Sequence, residues 1–261
     1  MDTVKVANPN DPRIAAYGHV ADARWLKTAG LFVAEGRLVV ERLIACQRFR
    51  LHSILVTPSA LQALEHGPGI ESPIFVAERE VISRIAGFDF HRGCLALAER
   101  PPETPSPELD AGTRILALEG VADPSNVGGL FRVAAAFSVD GVLLDPATAD
   151  PFYRKALRTS MGAVLHVPFA RLTPWPIAID EYKARGFRVL ALTPRADAPR
   201  LADVARNHTG PVIVMVGAEG TGLSPAAMAS ADVLVRIPTA PAVDSLNVSV
   251  AAGIVLSHLA G

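Results

Sequence analysis

Residues 123–132, which read DPSNVGGLFR, place an arginine on a helix that follows a run of turn residues. Asp123 to Asn126 are turn and helix-capping types, and the apolar positions from Leu130 onward recur at helical spacing. Arg132 lies roughly 200° around that helix from Leu130, which predicts a guanidinium that faces away from the buried stripe. The segment could position a charged group beside a ligand. An ordinary helix N-terminus with one solvated arginine is the alternative.

Residues 216–224, which read VGAEGTGLS, form a glycine-rich turn between an apolar run and a helix. Three glycines in six positions permit positive φ angles and a close backbone approach to a ligand. The spacing is G-x-E-G-x-G, which differs from the dinucleotide pattern and lacks the lysine of a nucleotide P-loop. Glu219 would repel a phosphate and suits a cationic or hydroxylated ligand. Ser224 and Pro225 fit the cap and first turn of the next helix. A plain turn is the alternative.

Residues 237–251, which read IPTAPAVDSLNVSVA, run from the end of a strand through an irregular loop into a helix that begins near Ser245. The helix at 246–259 is apolar nearly all round, which predicts burial in the core or against a partner. Asn247 and Ser249 near its start would then need hydrogen-bond partners. A buried terminal helix with capping polar groups is the alternative.

The three segments belong to a region, 113–261, in which apolar runs alternate with helical patterns. Short apolar runs without polar alternation are typical of strands buried on both faces, and strands that alternate with helices predict a parallel, doubly wound sheet. Such sheets bind ligands at the carboxyl ends of their strands, where the three segments lie. The predicted strands are 115–118, 141–144, 165–169, 187–192, 212–216 and 233–237.

Residues 1–100 predict a separate, small α/β module. Helices are expected near 11–28, 36–47 and 81–85, and strands at 53–56, 73–76 and 93–98. Residues 101–112 are acidic and rich in proline, which predicts a linker between this module and the domain at 113–261. A surface loop inside one domain is the alternative. A chain of 261 residues is long enough for two domains.

Composition limits the partners and the compartment. The net charge is −1, so any nucleic-acid surface must be a local basic patch. Cys46 and Cys94 form no C-x-x-C pair, so buried thiols are expected and a metal site or disulfide is not. The polar start of the chain predicts no signal peptide, and no apolar run reaches the roughly 20 residues of a membrane span. A cytoplasmic protein without a membrane partner is expected.

Together, in this order and spacing, the three segments resemble the SpoU (TrmH-like) RNA ribose methyltransferases of the SPOUT superfamily. The matches are N-x-G-x-x-x-R at 126–132, G-x-E-G-x-G-L at 217–223, and I-P at 237–238 followed by S-L-N-V-S-x-A at 245–251. FVAEGRLVVE at 32–41 and HRGCLA at 91–96 look like the family's RNA-binding accessory domain, which is similar to ribosomal protein L30. Thr239 and Pro241 stand where the family commonly has Met and Gly, which predicts a stiffer loop.

The resemblance implies an α/β fold with a deep trefoil knot in the C-terminal parallel-sheet domain, preceded by the L30-like domain. It implies methyl transfer from S-adenosylmethionine to a ribose 2′-hydroxyl of structured RNA, with ribosomal RNA first and transfer RNA second, and no metal. It also implies a homodimer through the knotted domains. Two alternatives from other classes are a non-catalytic RNA-binding or ribosome-assembly protein and an NAD-dependent dehydrogenase.

The resemblance also assigns residues. Arg132 is the implied base or hydroxyl-orienting group, although a guanidinium should stay protonated and suits phosphate binding better. The residues implied to hold Arg132 are Asn126, Glu219, Ser245 and Asn247. The expected cofactor contacts are Gly217, Ile237, Leu246, Leu192, Thr193 and Gly222. Phosphate contacts are expected from Arg154 and Arg158, which share a helix face, and from Arg37 and Arg92, with solvated surface as the alternative.

Overall fold

The computed structural model describes residues 3–64, 70–103, 109, 111–206, 209–240 and 245–259. The chain forms two compact units. The first unit comprises Met1–Pro102 and Phe152–Leu165, and the second comprises Glu103–Pro151 and His166–Gly261. Half of the predicted linker, at 104–108 and 110, lies outside the described residues, so the linker stays a prediction. Leu109 is buried in the core of the second unit.

The first unit contains a mixed five-stranded sheet. Its order is β1-β4-β3-β5-β2, in which β5 runs antiparallel to β2 and β3, and the pairs β1–β4 and β3–β4 are parallel. The strands are β1 (Thr3–Lys5), β2 (Leu31–Glu35), β3 (Leu51–Val56), β4 (Ile74–Val76) and β5 (Cys94–Glu99). The helices are α1 (Ala23–Thr28), α2 (Arg37–Cys46), α3 (Pro58–Leu64), α4 (Arg79–Ala86) and, from the second chain segment, α6 (Arg154–Thr159).

The predicted helix over 11–28 is wrong. The chain forms a 3₁₀ helix at Pro12–His19 and then starts α1, because the Asp22 side chain caps the new helix by accepting from the backbone N–H of Trp25. Two strands of this unit, β1 and β2, were not predicted from the sequence. Strand β1 has only three residues, and a single residue separates β2 from α2, so neither shows a period of its own. The predicted helices at 36–47 and 81–85 are confirmed as α2 and α4.

The second unit contains a six-stranded sheet in which every strand pairing is parallel, as the alternating runs predicted. Its order is β11-β9-β10-β6-β7-β8. The strands are β6 (Arg114–Glu119), β7 (Gly141–Leu144), β8 (Phe169–Arg171), β9 (Arg188–Leu192), β10 (Val212–Gly217) and β11 (Val233–Val235). The helices are α5 (Pro124–Ala136), α7 (Ile179–Ala184), α8 (Leu201–Ala205), α9 (Pro225–Ser230) and α10 (Val248–Leu259).

The predicted strand at 165–169 is misplaced. Residues Ala163–Leu165 form a 3₁₀ helix in the first unit, and β8 begins only at Phe169. The apolar run is interrupted by Pro168, which has no backbone N–H for a sheet. Its carbonyl instead accepts from Val142 at 2.9 Å, just ahead of the β7–β8 pairing.

Both cysteines lie in the first unit, and both are free thiols. Cys94 is fully buried in β5, and this burial raises the pKa of its thiol to about 12. Cys46 is partly buried and donates to the carbonyl of Leu43. Cys94 is therefore a core residue and not a reactive nucleophile. Within the described residues, none of the helices combines the length and apolar character that crossing a bilayer requires.

Candidate active site

The side chain of Asn247 joins the three segments that the sequence singled out. Its Nδ2 donates to Oδ1 of Asn126 at 3.0 Å and to Oε1 of Glu219 at 2.7 Å. Asn126 lies in the first turn of α5, Glu219 in the glycine-rich loop after β10, and Asn247 directly before α10. Three of the predicted catalytic residues, far apart in sequence, therefore form one hydrogen-bonded cluster.

The same amide caps α10. Oδ1 of Asn247 accepts from the backbone N–H of Ser249 at 3.0 Å and of Val250 at 3.4 Å, and from the Ser249 hydroxyl. An asparagine at this position satisfies N–H groups that have no partner within the helix. Its acceptor therefore fixes the start of α10, while its two donor hydrogens fix α5 and the glycine-rich loop. The expected partners of Asn247 and Ser249 are thereby confirmed.

Helices α5 and α10 approach closely beside this cluster. A Cβ on Gly129 would lie 3.1 Å from the Cβ and Oγ of Ser249, and a Cβ on Gly253 would lie 3.6 Å from Val133. Only the contact at Gly129 would be tighter than ordinary van der Waals contact, so glycine at this position lets the two backbones pack together. Arg132 immediately precedes Val133 on α5, and its side chain is exposed on the face away from the buried stripe, as predicted.

Arg132 and Ser245 are not joined to the Asn247 cluster by any hydrogen bond or ion pair among the described residues. Residues 241–244, which precede Ser245 and include Pro241, lie outside the described residues. The structure thus unites Asn126, Glu219 and Asn247 and leaves the guanidinium of Arg132 directed to solvent. The contacts that were predicted to hold Arg132 stay a prediction.

The glycine-rich loop folds back tightly at the end of β10. Gly222 donates its N–H to the carbonyl of Ala218 at 2.9 Å, and the two residues form an antiparallel bridge. A Cβ on Gly217 would lie 2.3–2.5 Å from backbone atoms of Gly222 and Leu223, which is closer than real Cβ contacts come. Gly217 is therefore required by packing of the loop against the strand end.

The predicted cofactor residues follow adjacent strands of the sheet. Strands β11, β9 and β10 are neighbours, and all three end at the same edge because they run parallel. Leu192 and Thr193 lie at the end of β9, Gly217 and Gly222 at the end of β10, Ile237 just after β11, and Leu246 just before α10. This is the edge at which parallel sheets bind ligands.

In the part of the chain that the structure describes, no group of three or more His, Cys, Asp or Glu side chains is arranged to hold a metal ion. The polar groups of the Asn247 cluster are the amides of Asn126 and Asn247 and the carboxylate of Glu219. Such groups can orient an organic ligand by hydrogen bonds.

Comparison with known proteins identifies the family. The profile of the SpoU rRNA Methylase family matches residues 113–257, which is more than half of the chain. A Mycobacterium bovis protein named an uncharacterized tRNA/rRNA methyltransferase is 41% identical, with coverage of 97% of this chain and 90% of the relative. The chain belongs to the SpoU rRNA Methylase family of RNA methyltransferases.

Solved structures agree with this membership. The AdoMet-bound rRNA methyltransferase of Sinorhizobium meliloti superposes with a TM-score of 0.82 at 25% identity, covering 98% of this chain and 97% of that one. A structure described as an RNA 2′-O ribose methyltransferase superposes with a TM-score of 0.79 at 26% identity, covering 98% of each chain. The likeness to these two methyltransferases therefore extends over both units.

Sequence reasoning missed Glu119, a carboxylate that anchors the far end of the glycine-rich loop of this SpoU chain. Glu119 ends β6 and accepts from the indole N–H of Trp175 at 2.9 Å. It also accepts from the hydroxyl of Ser224 at 2.8 Å and from its backbone N–H at 2.7 Å. Ser224 in turn caps α9, as predicted. A carboxylate directly after an apolar parallel strand was the available signal.

Asp145 is a second positioning residue that the sequence did not reveal. It is buried after β7, and its Oδ1 accepts from the backbone N–H groups of Gly120 at 3.0 Å and Thr148 at 2.7 Å. The Thr148 hydroxyl is the acceptor for the N–H of Val121 at 3.2 Å. These bonds fix the turn between β6 and α5, and hence the direction in which α5 presents Asn126 and Arg132.

The predicted RNA-binding arginines all lie in the first unit. Arg92, Arg154 and Arg158 gather around one buried carboxylate, Glu35. Arg37 pairs with Glu41, one turn along α2, at 3.4 Å, and no ion pair between Arg37 and Glu35 is found among the described residues. The sequence did not indicate this grouping, because Arg92 lies 62 positions before Arg154, the first residue of α6.

Proposed function

We propose that this chain transfers a methyl group from S-adenosylmethionine to the 2′-hydroxyl of a ribose in structured RNA, with ribosomal RNA as the first candidate and transfer RNA as the second. The observation that carries the proposal is the cluster of Asn126, Glu219 and Asn247, which ties α5, the arginine helix, to the loop after β10. Family membership and the two structural relatives, one an rRNA and one a ribose methyltransferase, support it.

The residues at the strand ends fit the proposed cofactor. Leu192, Gly217, Ile237 and Leu246 are each partly exposed, so apolar surface is available at this edge of the sheet. Such a lining suits an adenine ring, and the carboxylate of Glu219 beside it suits a positively charged group. When bound, S-adenosylmethionine supplies a methyl group that its sulfonium activates. The S. meliloti relative carries this cofactor in its structure.

Arg132 is proposed to hold the RNA at the reacting ribose. Its side chain is exposed, and no described residue engages it in a hydrogen bond or ion pair, so its five N–H donors are available to a substrate. A guanidinium stays protonated in proteins, and its planar fork matches the oxygens of a phosphate. Binding the phosphate beside the target ribose would place the 2′-hydroxyl in line with the methyl group. Asn126, Glu219, Ser245 and Asn247 are proposed to support that placement.

The trefoil knot, the homodimer and the role of the first unit as an L30-like RNA-binding domain are parts of the same proposal. They rest on the sequence resemblance and on family membership. Arg37, Arg92, Arg154 and Arg158 are the proposed phosphate contacts in that domain.

The test is methyl transfer from labelled S-adenosylmethionine to total RNA taken from cells that lack this protein, followed by digestion and identification of the nucleosides. We expect a 2′-O-methylated nucleoside with the wild-type chain. We expect Arg132→Ala to reduce transfer by at least about a hundredfold while it changes affinity for S-adenosylhomocysteine by less than about threefold. Arg132→Lys keeps the charge without the planar fork and should regain only part of the activity.

Two results would contradict the proposal. A methylated base in place of a methylated ribose would refute the reaction, and undiminished transfer by Arg132→Ala would refute the role of that arginine. RNA binding with no transfer to any RNA of the ribosome or the transfer RNA pool would favour the non-catalytic RNA-binding alternative.

A further inference from the structure

Glu35, the last residue of β2, is buried beneath three arginines. Its side chain is 5% exposed, and among the described residues its Oε2 has no hydrogen-bond partner. Nε of Arg92 lies 3.3 Å from Oε1, while Nη1 of Arg154 and Nη1 of Arg158 lie 3.6 and 3.9 Å from Oε2. We call Glu35 with these three arginines the Glu35 cluster. Its four side chains carry two positive charges in excess.

One carboxylate needs one cation, so the three arginines exceed what Glu35 requires. A buried charge is costly unless it is paired, but a second and third guanidinium repel the first. Each guanidinium has five N–H donors and uses at most one toward Glu35 at these distances. The side chains of Arg92, Arg154 and Arg158 are 50%, 23% and 36% exposed, so donors remain open to solvent. The arrangement therefore has the charge and the free donors for an added anion.

The arginines are held in place before any anion arrives. Cζ of Arg154 lies 4.2 Å from the centre of the Phe88 ring, which fixes the plane of that guanidinium. A Cβ on Gly36 would lie 3.6 Å from Cδ of Arg92, so Arg92 lies against the backbone at Gly36. Arg154 and Arg158 are one turn apart on α6 and point to the same side. Side chains that are already ordered lose little rotamer freedom when they bind.

We propose that the Glu35 cluster is a single oxyanion site that binds one phosphate of the RNA backbone, and that Glu35 is the positioning residue that holds its three arginines together. This inference rests on RNA being the substrate, as proposed above. It goes further because it assigns three arginines to one phosphate and assigns Glu35, an acidic residue, a role in RNA binding. Arginine forks bind phosphate oxygens through paired, charge-assisted hydrogen bonds, which suits one phosphate shared by several guanidinium groups.

The first test uses the sign of the effect of Glu35→Gln. By charge alone, removal of a carboxylate near the RNA should tighten binding. If Glu35 positions the arginines, the change should instead weaken binding of a fluorescein-labelled stem–loop RNA, by roughly tenfold, as for the loss of a charge-assisted hydrogen bond. Glu99→Gln is the matched control, because Glu99 pairs with Arg50 and its side chain is 49% exposed. It should leave affinity unchanged or slightly higher. Tighter or unchanged binding by Glu35→Gln would overturn the positioning role.

The second test counts phosphates and does not depend on whether Glu35→Gln folds. Affinity for the same RNA is measured across a range of salt concentrations for Arg92→Gln, Arg154→Gln, Arg158→Gln and the triple variant. The slope of log K against log salt is negative, and each phosphate contact makes it steeper by about 0.7 to 0.9. If the arginines share one phosphate, the slope of the triple variant should be less steep than that of the wild type by about this amount. A change about three times as large would mean three separate phosphates, and an unchanged slope would mean none. Either result would overturn the single site.

The binding assay is kept apart from the transfer assay so that the two proposals can fail separately. Wild-type methyl transfer to ribose, with RNA binding that none of the arginine variants alters, would overturn the Glu35 cluster alone. A shared-phosphate slope with no ribose methylation would support the cluster and count against the proposed reaction.

Discussion

At the scale of single residues, the side-chain amide of Asn247 has two structural roles, a helix cap and a link between segments. Its oxygen caps α10, and its nitrogen links α5 to the glycine-rich loop. A substitution that keeps a capping oxygen but shortens the side chain should preserve the cap and remove the link. Stability then reports the cap, and methyl transfer reports the link.

We predict that Asn247→Ala lowers the free energy of unfolding by about 1 kcal/mol through loss of the cap. Asn247→Ser keeps a capping oxygen and should be the more stable variant by roughly that 1 kcal/mol. Both variants should lose methyl transfer to a similar degree, because neither can reach Asn126 and Glu219. Urea unfolding and transfer assays measure the two effects. Full activity in Asn247→Ser would show that the link is dispensable.

At the scale of elements, the turn after β10 depends on a residue without a side chain. A Cβ on Gly217 would collide with backbone atoms, which cannot rotate away as a flexible side chain can. We predict that Gly217→Ala costs about 1–3 kcal/mol and weakens binding of S-adenosylhomocysteine, because the loop must move away from the strand end.

Gly253→Ala is the matched control for that substitution. Gly253 lies inside α10, and its added Cβ would make only ordinary contact with Val133 at 3.6 Å. Alanine inside a helix is favoured over glycine by roughly 0.5–1 kcal/mol, so this variant should be neutral or slightly stabilised. Thermal unfolding and calorimetric titration would measure both variants. Equal behaviour of the two would mean that the loop yields easily and that the contact at Gly217 is unimportant.

The elements that the sequence predicted well are those with a pattern of their own, either an apolar run or a helical period. The parallel strands β6, β7, β9, β10 and β11 were evident because each is a short apolar run between helical patterns. Strand β8 was misplaced, and the helix over 11–28 was drawn too long, because a proline or a new cap interrupts the pattern locally. Local signals of one residue can override a longer apolar pattern.

The site was predictable only as far as its motifs reach. Asn126, Glu219 and Asn247 were chosen because they lie in three loops of one recognisable pattern, and the structure brings them together. Glu119 and Asp145 lie outside those motifs, and their roles depend on which strands are neighbours in the sheet. The pairing of β6 with β7 and β10 is a tertiary fact that spacing along the chain does not encode.

At the scale of the whole molecule, the chain is not divided in sequence order. Residues Phe152–Leu165 leave the second unit between β7 and β8 and pack within the first unit, where α6 contacts β2. The aromatic rings of Phe32 and Phe152 lie 4.6 Å apart within that unit. Arg154 and Arg158 reach Glu35 only because of this excursion. The composition of residues 1–100 alone therefore understates the basic surface of the first unit.

The proposed homodimer is a property of the whole molecule that α10 allows to be tested. One face of this helix packs in the core through Ala252, Val255 and Leu256, whereas Val250 on another face is 51% exposed. Val250 is therefore a position at which the proposed interface on this helix can be tested without disturbing the core. We predict sedimentation of the wild-type chain at twice its mass of 27.5 kDa.

Val250→Glu should shift that species to the monomer, because a carboxylate buried in an apolar interface is strongly unfavourable. Ile177→Glu is the matched control, since Ile177 is also an exposed apolar residue of the second unit, at 64%, but lies outside α10. It should leave the dimer intact. If the α10 face builds the interface beside the Asn247 cluster, Val250→Glu should also lose methyl transfer in proportion to the monomer fraction. If the wild-type chain is an active monomer, the homodimer is not part of the proposed function. If Val250→Glu still forms a dimer, the dimer interface lies outside this face of α10.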